Sequence, residues 1–383
     1  MSAAETLPIF TSGSFHLTVD RTALLKALAH CQGVVERRNT VPILSHVLLE
    51  AWGETLKIIA TDLEISLVET IPALIVAEGS TTISASLLFD IVRKLPEGAE
   101  IELKMDGEGG SLNLLSGRSS YDFACLPSGD FPPITEEVET STFKLHAAEL
   151  SRLIDRTRFS MSTEETRYYL NGIFFHPTEA GSLRAVATDG LRLAQAQVEL
   201  PPEAATMPSV IISRKTINEI RKLIDEVADE ITISLSETQV KFTVGSCVLF
   251  SRLIEGKYPD YERVIPVGND NILEISVKAF ADAIDRVATM STDKLRPVKM
   301  RIEGGILSLS AHRQEGGQAL EELEVHYTGA PVDFGFNARF VLDVTQQIES
   351  PTLQFLIGEE TQAVIAKDAA DASALYVLMP MRV

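Results

Sequence analysis

The chain has 383 residues, 45% of them hydrophobic, which is enough for two or three domains with sizeable cores and argues against wholesale disorder. Its formal net charge of −20 argues against a protein that coats nucleic acid through charge alone. No apolar run of about 18 residues is present and the N-terminal stretch lacks a signal-peptide pattern, so we expect a cytoplasmic protein with no membrane partner. Cys31, Cys125 and Cys247 form no Cys-x-x-Cys pair, and we expect buried free thiols rather than disulfides or zinc ligands.

The first predicted elements are a short alternating strand and an amphipathic helix, in FHLTVDRTALLKALAHC (15–31). A strand that ends in Thr-Asp, a second strand-to-helix step and a strand pair follow, at 56–67, 81–95 and 99–127. The same four landmarks return twice more in the same order. The predicted helices cover 20–31, 86–95, 147–161, 213–226, 276–290 and 337–350.

These landmarks keep nearly one period along the chain. Ile83 corresponds to Ile211 and Phe334, at steps of 128 and 123 residues, and a second landmark gives steps of 130 and 122. The sequence therefore predicts an α+β fold of three tandem copies of a two-helix plus antiparallel-sheet unit. Polar, Pro-rich segments separate the units. The predicted division is an N-terminal extension (1–14) and three domains (15–135, 140–264 and 270–383).

The tripeptide Ala-Thr-Asp occurs in IATDLEISL (59–67) and again in VATDGLRLA (186–194). Asp62 and Asp189 occupy equivalent places in two repeats, which favours a structural role over a chemical one. An Asp at a strand end commonly accepts hydrogen bonds from backbone N–H groups of a turn. A hydrolase centred on Asp189 is the catalytic alternative, and Asp189→Asn should then abolish a turnover.

The sequence contains none of the common catalytic or cofactor motifs. It has no phosphate-binding Gly-x-x-x-x-Gly-Lys-[Ser/Thr] loop, no Gly-x-Gly-x-x-Gly, no His-Glu-x-x-His and no Gly-x-Ser-x-Gly. Each of the seven histidines, taken alone, is expected to be a surface or core residue rather than a metal ligand. We therefore expect neither an enzyme, nor a cofactor, nor a metal site.

The size of one unit sets how many units are needed to surround DNA. A compact unit of about 125 residues is roughly 35 Å across, so a closed ring of three leaves a hole only about 5 Å wide. A ring of six leaves roughly 35 Å, which admits a duplex about 20 Å wide. Two copies of the chain are therefore required. A repeat-built peptide-binding scaffold that does not encircle DNA is the alternative, and a stable monomer would favour it.

A more specific signal comes from six strings of residues that run in order along the chain. They are NTVPILSHVLLEA (39–51), ATDLEISL (60–67), RYYLNGIFF (167–175), ATDGLRLA (187–194), YPDYERVIP (258–266) and YVLMPMRV (376–383). Together they resemble the bacterial DNA polymerase III β subunit family, the sliding clamps. The resemblance extends from about Phe15 to the last residue.

The resemblance implies a DNA clamp fold and a ring-forming, head-to-tail homodimer that encircles duplex DNA without regard to sequence. It implies a non-catalytic processivity factor without cofactor or metal, which tethers the replicative DNA polymerase. The implied partners are DNA polymerase III α subunit, the clamp loader, and other polymerases and repair proteins that carry short clamp-binding peptides. The acidic net charge fits this reading, because a closed ring holds DNA by topology rather than by phosphate affinity.

The resemblance also implies a cleft that binds the partners' peptides, where apolar side chains form a groove and arginines donate to peptide carbonyls. One residue departs from the family, because Leu191 stands where the family often has His. The matching positions are Leu170, Thr188, Gly190, Leu191, Arg192, Leu193, Pro259, Arg263, Val264, Phe340, Thr361, Val377, Met379, Pro380, Met381 and Arg382.

Two further sets of residues follow from the same resemblance. The residues expected to contact DNA are Arg38, Arg167, Tyr168 and Tyr169. At the dimer interface, edge strands of the first and third domains should pair, with Tyr121 and Phe123 on one side and Thr289 and Met290 on the other. Clamps of this family have larger aliphatic residues at the position of Thr289.

Overall fold

The computed structural model describes residues 15–36, 40–105, 110–226, 229–291, 296–313 and 316–382. Within these ranges the chain forms six α-helices and 26 β-strands. No helix of the described residues is both long and apolar enough to cross a membrane. The helices are α1 (Arg21–Val34), α2 (Ala85–Lys94), α3 (Ala147–Asp155), α4 (Arg214–Ile224), α5 (Val277–Ala288) and α6 (Ala338–Thr345).

The strands fall into three successive sets, which we call repeats 1, 2 and 3 and which contain two helices each. Repeat 1 has β1 (His16–Asp20), β2 (His46–Trp52), β3 (Thr55–Thr61), β4 (Ile65–Pro72), β5 (Leu74–Ala77), β6 (Gly79–Ser84), β7 (Glu100–Met105), β8 (Ser111–Ser116) and β9 (Ser119–Ala124). Repeat 2 has β10 (Ser141–His146), β11 (Gly172–Pro177), β12 (Ser182–Thr188), β13 (Arg192–Glu199), β14 (Val210–Ser213), β15 (Glu230–Leu235), β16 (Gln239–Val244) and β17 (Cys247–Arg252). Repeat 3 has β18 (Asn271–Ser276), β19 (Pro297–Glu303), β20 (Ile306–His312), β21 (Gln318–Glu324), β22 (His326–Tyr327), β23 (Val332–Asn337), β24 (Thr352–Ile357), β25 (Val364–Asp368) and β26 (Ala374–Leu378).

The predicted triplication of an α+β unit is confirmed by the order of these elements. In each repeat a strand leads into the first helix, a second strand leads into the second helix, and three strands end the repeat. The start of α1 shows why the chain folds this way. Asp20 caps the helix, and its carboxylate accepts hydrogen bonds from the amides of Thr22 (2.8 Å) and Ala23 (3.0 Å). Leu24 and Leu28, one helical turn apart, then lie on the buried face.

Two helices end five or six residues earlier than the sequence predicts. α3 ends at Asp155 instead of 161, and α6 ends at Thr345 instead of 350. A threonine hydroxyl donates to a backbone carbonyl of the last turn in both places: Thr157 to Leu153 (2.6 Å) and Thr345 to Leu342 (2.8 Å). Such bonds compete with the continuation of the helical ladder, and periodicity alone does not reveal them.

Each repeat contributes two antiparallel sheets. The terminal sheet contains its first strand and its last three strands, in the order β1-β7-β8-β9 in repeat 1. The central sheet contains four of the strands between the two helices, in the order β6-β2-β3-β4, whereas the short β5 pairs with β1 in the terminal sheet. Repeats 2 and 3 follow the same plan, with terminal sheets β10-β15-β16-β17 and β18-β24-β25-β26 and central sheets β14-β11-β12-β13 and β23-β19-β20-β21.

Successive repeats are joined by strand pairing. The last strand of repeat 2, β17, pairs with β4 of repeat 1, and the last strand of repeat 3, β26, pairs with β13 of repeat 2. These two joints extend the sheets to eight and nine strands. Two strands of the same types take no part in a joint: β9 is the last strand of its sheet, and β21 is the first of its own.

The described residues divide into two compact units. One contains the residues up to Ala147 together with Asn218–Arg252, and holds the five-stranded and eight-stranded sheets. The other contains Ala148–Ile217 together with Leu253–Val383, and holds the nine-stranded and four-stranded sheets. Repeat 2 therefore supplies one sheet to each unit, and the predicted boundaries 15–135, 140–264 and 270–383 stay a prediction.

Candidate peptide-binding cleft

The Thr-Asp corner between β12 and β13 is a turn held by side chains. The Oδ1 atom of Asp189 accepts hydrogen bonds from the amides of Leu191 (2.9 Å) and Arg192 (3.0 Å). The hydroxyl of Thr188 accepts from the amide of Gly190 (3.1 Å) and donates to the Arg192 carbonyl (2.6 Å). Both residues satisfy backbone groups that the turn would otherwise leave without partners.

The equivalent corner of repeat 1 repeats this geometry. Asp62 Oδ1 accepts from the amides of Glu64 (2.9 Å) and Ile65 (2.7 Å), and the Thr61 hydroxyl accepts from the amide of Leu63 (3.1 Å). The predicted structural role of the recurring Thr-Asp pair is therefore confirmed.

Arg192 distinguishes the second corner, because its guanidinium braces several elements. Its Nε donates to Asp189 Oδ2 (3.0 Å), its Nη1 to Asp343 on α6 (2.6 Å) and its Nη2 to the Phe159 carbonyl (2.6 Å). The group also lies 4.2 Å from the centroid of the Phe340 ring, a cation–π distance. All three guanidinium nitrogens thus donate within the protein and brace the corner, and donation of the two remaining N–H groups to a peptide stays a prediction.

Gly190 is required at this corner for two reasons. Its φ of 89° lies in the left-handed region, which glycine adopts without steric cost. A Cβ added there would also lie 2.6 Å from Nη1 of Arg167. Arg167 comes this close because its Nη2 donates to the Asp189 carbonyl (3.0 Å), while Nε and Nη2 donate to the carboxylate of Glu164 (2.8 and 2.6 Å).

The floor of the cleft is a buried apolar cluster in the unit that holds the corner. Three residues of the predicted cleft belong to it, Leu170, Leu193 and Val377. Leu193 and Val377 are directly opposite each other in the β13–β26 ladder, so the joint between repeats 2 and 3 forms the floor. The other buried members are Val186, Ile211, Tyr258, Tyr261 and Ala363.

Aromatic stacking fixes the segment that follows β17 onto this floor. The rings of Phe174 and Tyr258 stack at 4.6 Å with an interplanar angle of 4°. The Tyr261 hydroxyl lies 2.9 Å from His176 Nε2 and accepts from Arg184 Nη1 (3.0 Å). Burial lowers the pKa of His176, so its ring remains neutral near neutral pH and packs without the cost of a buried charge. The family resemblance did not single out these aromatic residues, although YPDYERVIP contains two of them.

Three large apolar side chains rise from this floor into solvent. Leu191, Val264 and Met379 are 55%, 55% and 45% exposed. The Met379 amide donates to the Leu191 carbonyl (3.0 Å), so two of the three side chains come from adjacent backbone segments. Exposed apolar residues grouped above a buried apolar floor are typical of a protein–protein contact site.

The remaining predicted cleft residues lie on the same unit. Pro259 is exposed, and the exposed Arg263 pairs with Asp260 (2.7 Å). Thr361 is exposed two residues before Ala363 of the floor, and the Met381 amide donates to the Gly335 carbonyl (2.8 Å). Pro380 is half-buried and Arg382 is exposed. The structure thus places exposed apolar side chains beside a buried apolar cluster, and a peptide-binding groove formed by these residues stays a prediction.

The residues predicted to contact DNA do not stand apart from the cleft. Arg167 lies against Gly190, and Tyr169 packs on the apolar floor. Tyr168 is exposed and makes an edge-to-face contact with Tyr169 at 5.8 Å. Arg38 falls outside the described residues. Contact of these residues with DNA stays a prediction.

The predicted interface residues lie on or beside β9 and β21, the two strands of the joining kinds that take no part in a joint. Tyr121 is half-buried and Phe123 buried, and both belong to β9. Thr289 and Met290 follow α5, and a Cβ added at Gly317, just before β21, would lie 3.0 Å from the Met290 Cε atom. Sequence reasoning did not single out β21 itself, because its acidic sequence QALEELE resembles a solvated segment.

The chain is similar to known proteins over almost its whole length. Three family models of the DNA polymerase III beta subunit match consecutive segments: the N-terminal domain at residues 15–135, the central domain at 144–260 and the C-terminal domain at 262–382. The chain belongs to the DNA polymerase III beta subunit family. As a beta sliding clamp it is a non-catalytic processivity factor, and the hydrolase interpretation of Asp189 is wrong.

Individual sliding clamps are similar over nearly their full length. The beta sliding clamp of Caulobacter vibrioides is 46% identical over 370 residues, which cover 96% of this chain and 100% of that protein. The clamp of Escherichia coli is 37% identical, covering 95% and 99%. A crystal structure of the Bartonella birtlesii clamp bound to griselimycin matches with a TM-score of 0.94 at 43% identity, covering 97% of this chain and 100% of that one.

The corner of this sliding clamp gives a first prediction, on stability. Asp189→Ala leaves two turn amides and the Arg192 Nε without their acceptor, and should lower the free energy of unfolding by about 1–3 kcal/mol. Asp189→Asn keeps an oxygen for the two amides and should cost less. Urea denaturation of both variants measures the difference, and equal losses would show that the amide bonds to Asp189 contribute nothing.

Proposed function

We propose that this clamp closes head-to-tail with a second copy of itself into a ring around duplex DNA, and that the cleft holds peptides of its partners. The ring would be built from the three predicted domains of each chain, 15–135, 140–264 and 270–383. The observation that carries the proposal is the pair of internal joints, which use the same two kinds of strand and leave one strand of each kind, β9 and β21, with an open outer edge.

The joints follow one rule. The last strand of a repeat, β17 or β26, pairs antiparallel with the last central-sheet strand of the preceding repeat, β4 or β13. By position in their repeats, β9 is equivalent to β17 and β26, and β21 is equivalent to β4 and β13. Exposed strand edges present unpaired backbone groups that favour pairing with another chain. The pairing of β9 with β21 of a second copy would complete the series.

The hairpins predict the register of this third joint. Leu67 on β4 and Ala319 on β21 are equivalent positions. Leu67 lies opposite Ala60, the sixth residue of β3, and Ala319 lies opposite Ala311, the sixth residue of β20. In the first joint, Leu67 pairs with Leu249, the third residue of β17. The third residue of β9, the equivalent strand of repeat 1, is Tyr121. Tyr121 should therefore face Ala319 of a second copy, which also brings Tyr121 and Phe123 towards Met290.

Closure of two chains supplies the six units that a hole for DNA requires. Three compact units of this size leave a hole about 5 Å wide, whereas six leave roughly 35 Å. Enclosure also reconciles DNA binding with a net charge of −20, because a closed ring needs few phosphate contacts and weak contacts permit sliding. Arg167, Tyr168 and Tyr169, with Arg38, are proposed to supply such contacts.

The cleft is proposed to bind short linear peptides of the polymerase α subunit, the clamp loader, and other polymerases and repair proteins. Its support is the apolar floor with the exposed Leu191, Val264 and Met379 above it. Griselimycin is bound in clamp structures from Bartonella birtlesii and Pseudomonas aeruginosa, and we propose that it occupies this cleft. A replication factor of this kind would work in the cytoplasm.

Retention on DNA tests the proposed function. The protein is loaded on nicked circular DNA with a clamp loader and ATP, unbound protein is removed, and half of the sample is linearised with a restriction enzyme. We expect the clamp to remain on circles and to be lost from the linear molecules, because only a free end releases a ring. Equal loss from both forms, with a monomeric mass in solution, would instead support the scaffold alternative.

A further inference from the structure

Outside the cleft, the fold brings a histidine, a carboxylate and a thiol together in the other compact unit, at the joint between β4 and β17. Glu69 on β4 and Cys247 on β17 are directly opposite each other in the antiparallel ladder, so their side chains project from the same face of the sheet. His30 on α1 approaches that face. One ligand atom from each of the three residues lies within 4.8 Å of the other two.

The three groups are largely withdrawn from solvent. The side chains of His30 and Glu69 are 9% and 4% exposed, and Cys247 is buried. His30 Nδ1 lies 2.5 Å from Glu69 Oε2. A carboxylate in such a place is costly unless a cation or a proton accompanies it, so this geometry fits a cation as well as a shared proton.

A second carboxylate orients the histidine ring. Glu226, after α4, places Oε1 2.7 Å from His30 Nε2. Its Oε2 lies 2.7 Å from Nζ of Lys26, which neutralises it. With its N–H at Nε2 donated to Glu226, the His30 ring presents Nδ1 to Glu69 and Cys247, and removal of the proton that Nδ1 shares with Glu69 would leave a lone pair there. A metal-bound histidine commonly donates its other N–H to a carboxylate in this way.

We propose that His30, Glu69 and Cys247 form a binding site for one zinc-type divalent cation, with Glu226 as the residue that positions His30. A nitrogen, a carboxylate oxygen and a thiolate sulfur are the ligands that zinc takes in proteins. The fourth position would be filled by the second oxygen of Glu69 or by water. Binding releases the thiol proton of Cys247 and the proton between His30 and Glu69, and the two anionic ligands then balance the charge of the cation.

A cation bound at this site would stabilise the β4–β17 joint between repeats 1 and 2. His30 and Glu69 belong to repeat 1, whereas Cys247 and the orienting Glu226 belong to repeat 2. A ligand that binds only the folded protein stabilises it, so the bound cation should raise the melting temperature of the clamp. The sequence alone does not predict this site, because its three residues are far apart in the chain and do not follow the spacing of any common metal-binding motif.

Cobalt substitution tests the proposal on the full-length protein. After dialysis against a chelator, Co²⁺ is titrated in, because a cysteine thiolate bound to Co²⁺ gives charge-transfer absorption in the near ultraviolet. We expect saturation at one Co²⁺ per chain and a rise in melting temperature when Zn²⁺ is added. Failure of the native protein to show the thiolate band overturns the proposal without any variant.

Variants assign the ligands. Cys247→Ser should abolish the thiolate band, and Glu226→Gln should weaken Co²⁺ binding by roughly 10–100-fold, as loss of an orienting partner does. Cys125→Ser is the matched control, because Cys125 is also a free cysteine of the same unit but lies outside the cluster. Survival of the band in Cys247→Ser, or its loss in Cys125→Ser, overturns the assignment. Should Cys247→Ser fail to fold, His30→Gln removes another ligand and should weaken Co²⁺ binding, and binding of native strength in that variant overturns the assignment.

Discussion

Tyr121→Asp should separate the dimer into single chains and raise its dissociation constant by about 100-fold or more, equivalent to roughly 2.7 kcal/mol. The substitution removes an aromatic side chain from the open edge of β9. It also places a carboxylate opposite Ala319 of a second copy, two residues from Glu321 of that strand. Because Tyr121 is only half-buried in the single chain, the fold itself should survive.

Sedimentation equilibrium across a dilution series measures the effect, and retention on circular DNA should fall with it. Tyr327→Asp is the matched control, since Tyr327 is another half-buried tyrosine on an edge strand, β22, that no joint uses. Its mass and its retention should equal those of the native clamp. A dimer of native strength in Tyr121→Asp would contradict the proposed pairing of β9 with β21.

Deletion of Met379–Val383 should reduce the affinity of the clamp for griselimycin by about 100-fold or more and leave the dimer intact. The deletion removes the exposed Met379 from the cleft and, with Met381, the backbone bond that holds the tail to Gly335. Strand β26 ends at Leu378, so the joint with β13 remains complete. Calorimetric titration with griselimycin measures the affinity, and sedimentation measures the mass.

Two point variants test whether griselimycin binds at the cleft or at the equivalent corner of repeat 1. Leu191→Asp places a charge on the apolar rim and should weaken griselimycin binding by roughly 10–100-fold. Leu63→Asp makes the same change in the equivalent corner of repeat 1, where Leu63 is exposed to a similar degree. Equal binding by both variants, or simultaneous loss of dimer and affinity in the tail deletion, would show that the cleft lies elsewhere.

Much of the fold could be predicted from local patterns. The strand-to-helix steps that contain Ile83, Ile211 and Phe334 have the period of the repeats, because each repeat buries the same faces of the same elements. The role of Asp62 and Asp189 was equally accessible, since a short acidic side chain at a strand end acts on amides two and three residues away. Interactions between residues that are close in the chain can therefore be predicted from the sequence.

Contacts between residues that are far apart in the chain could not be predicted in this way. The brace of Arg192 depends on the Phe159 carbonyl, 33 residues away in the same repeat, and on Asp343, 151 residues away in repeat 3. From sequence, Arg192 therefore resembled a free donor. The cleft residues were named through family resemblance rather than pattern, because a buried Val377 and an exposed Met379 both look like parts of one apolar strand end.

The rule that governs the joints also bears on how such a chain arose. Each repeat carries one strand of each joining kind, so an isolated ancestral repeat would have polymerised with its own copies end to end. Fusion of three such repeats into one chain makes two of every three contacts of the proposed ring intramolecular, which raises their effective concentration. The remaining contact is the one place where such an assembly can part without breaking a covalent chain, and natural selection can tune its strength independently of the others.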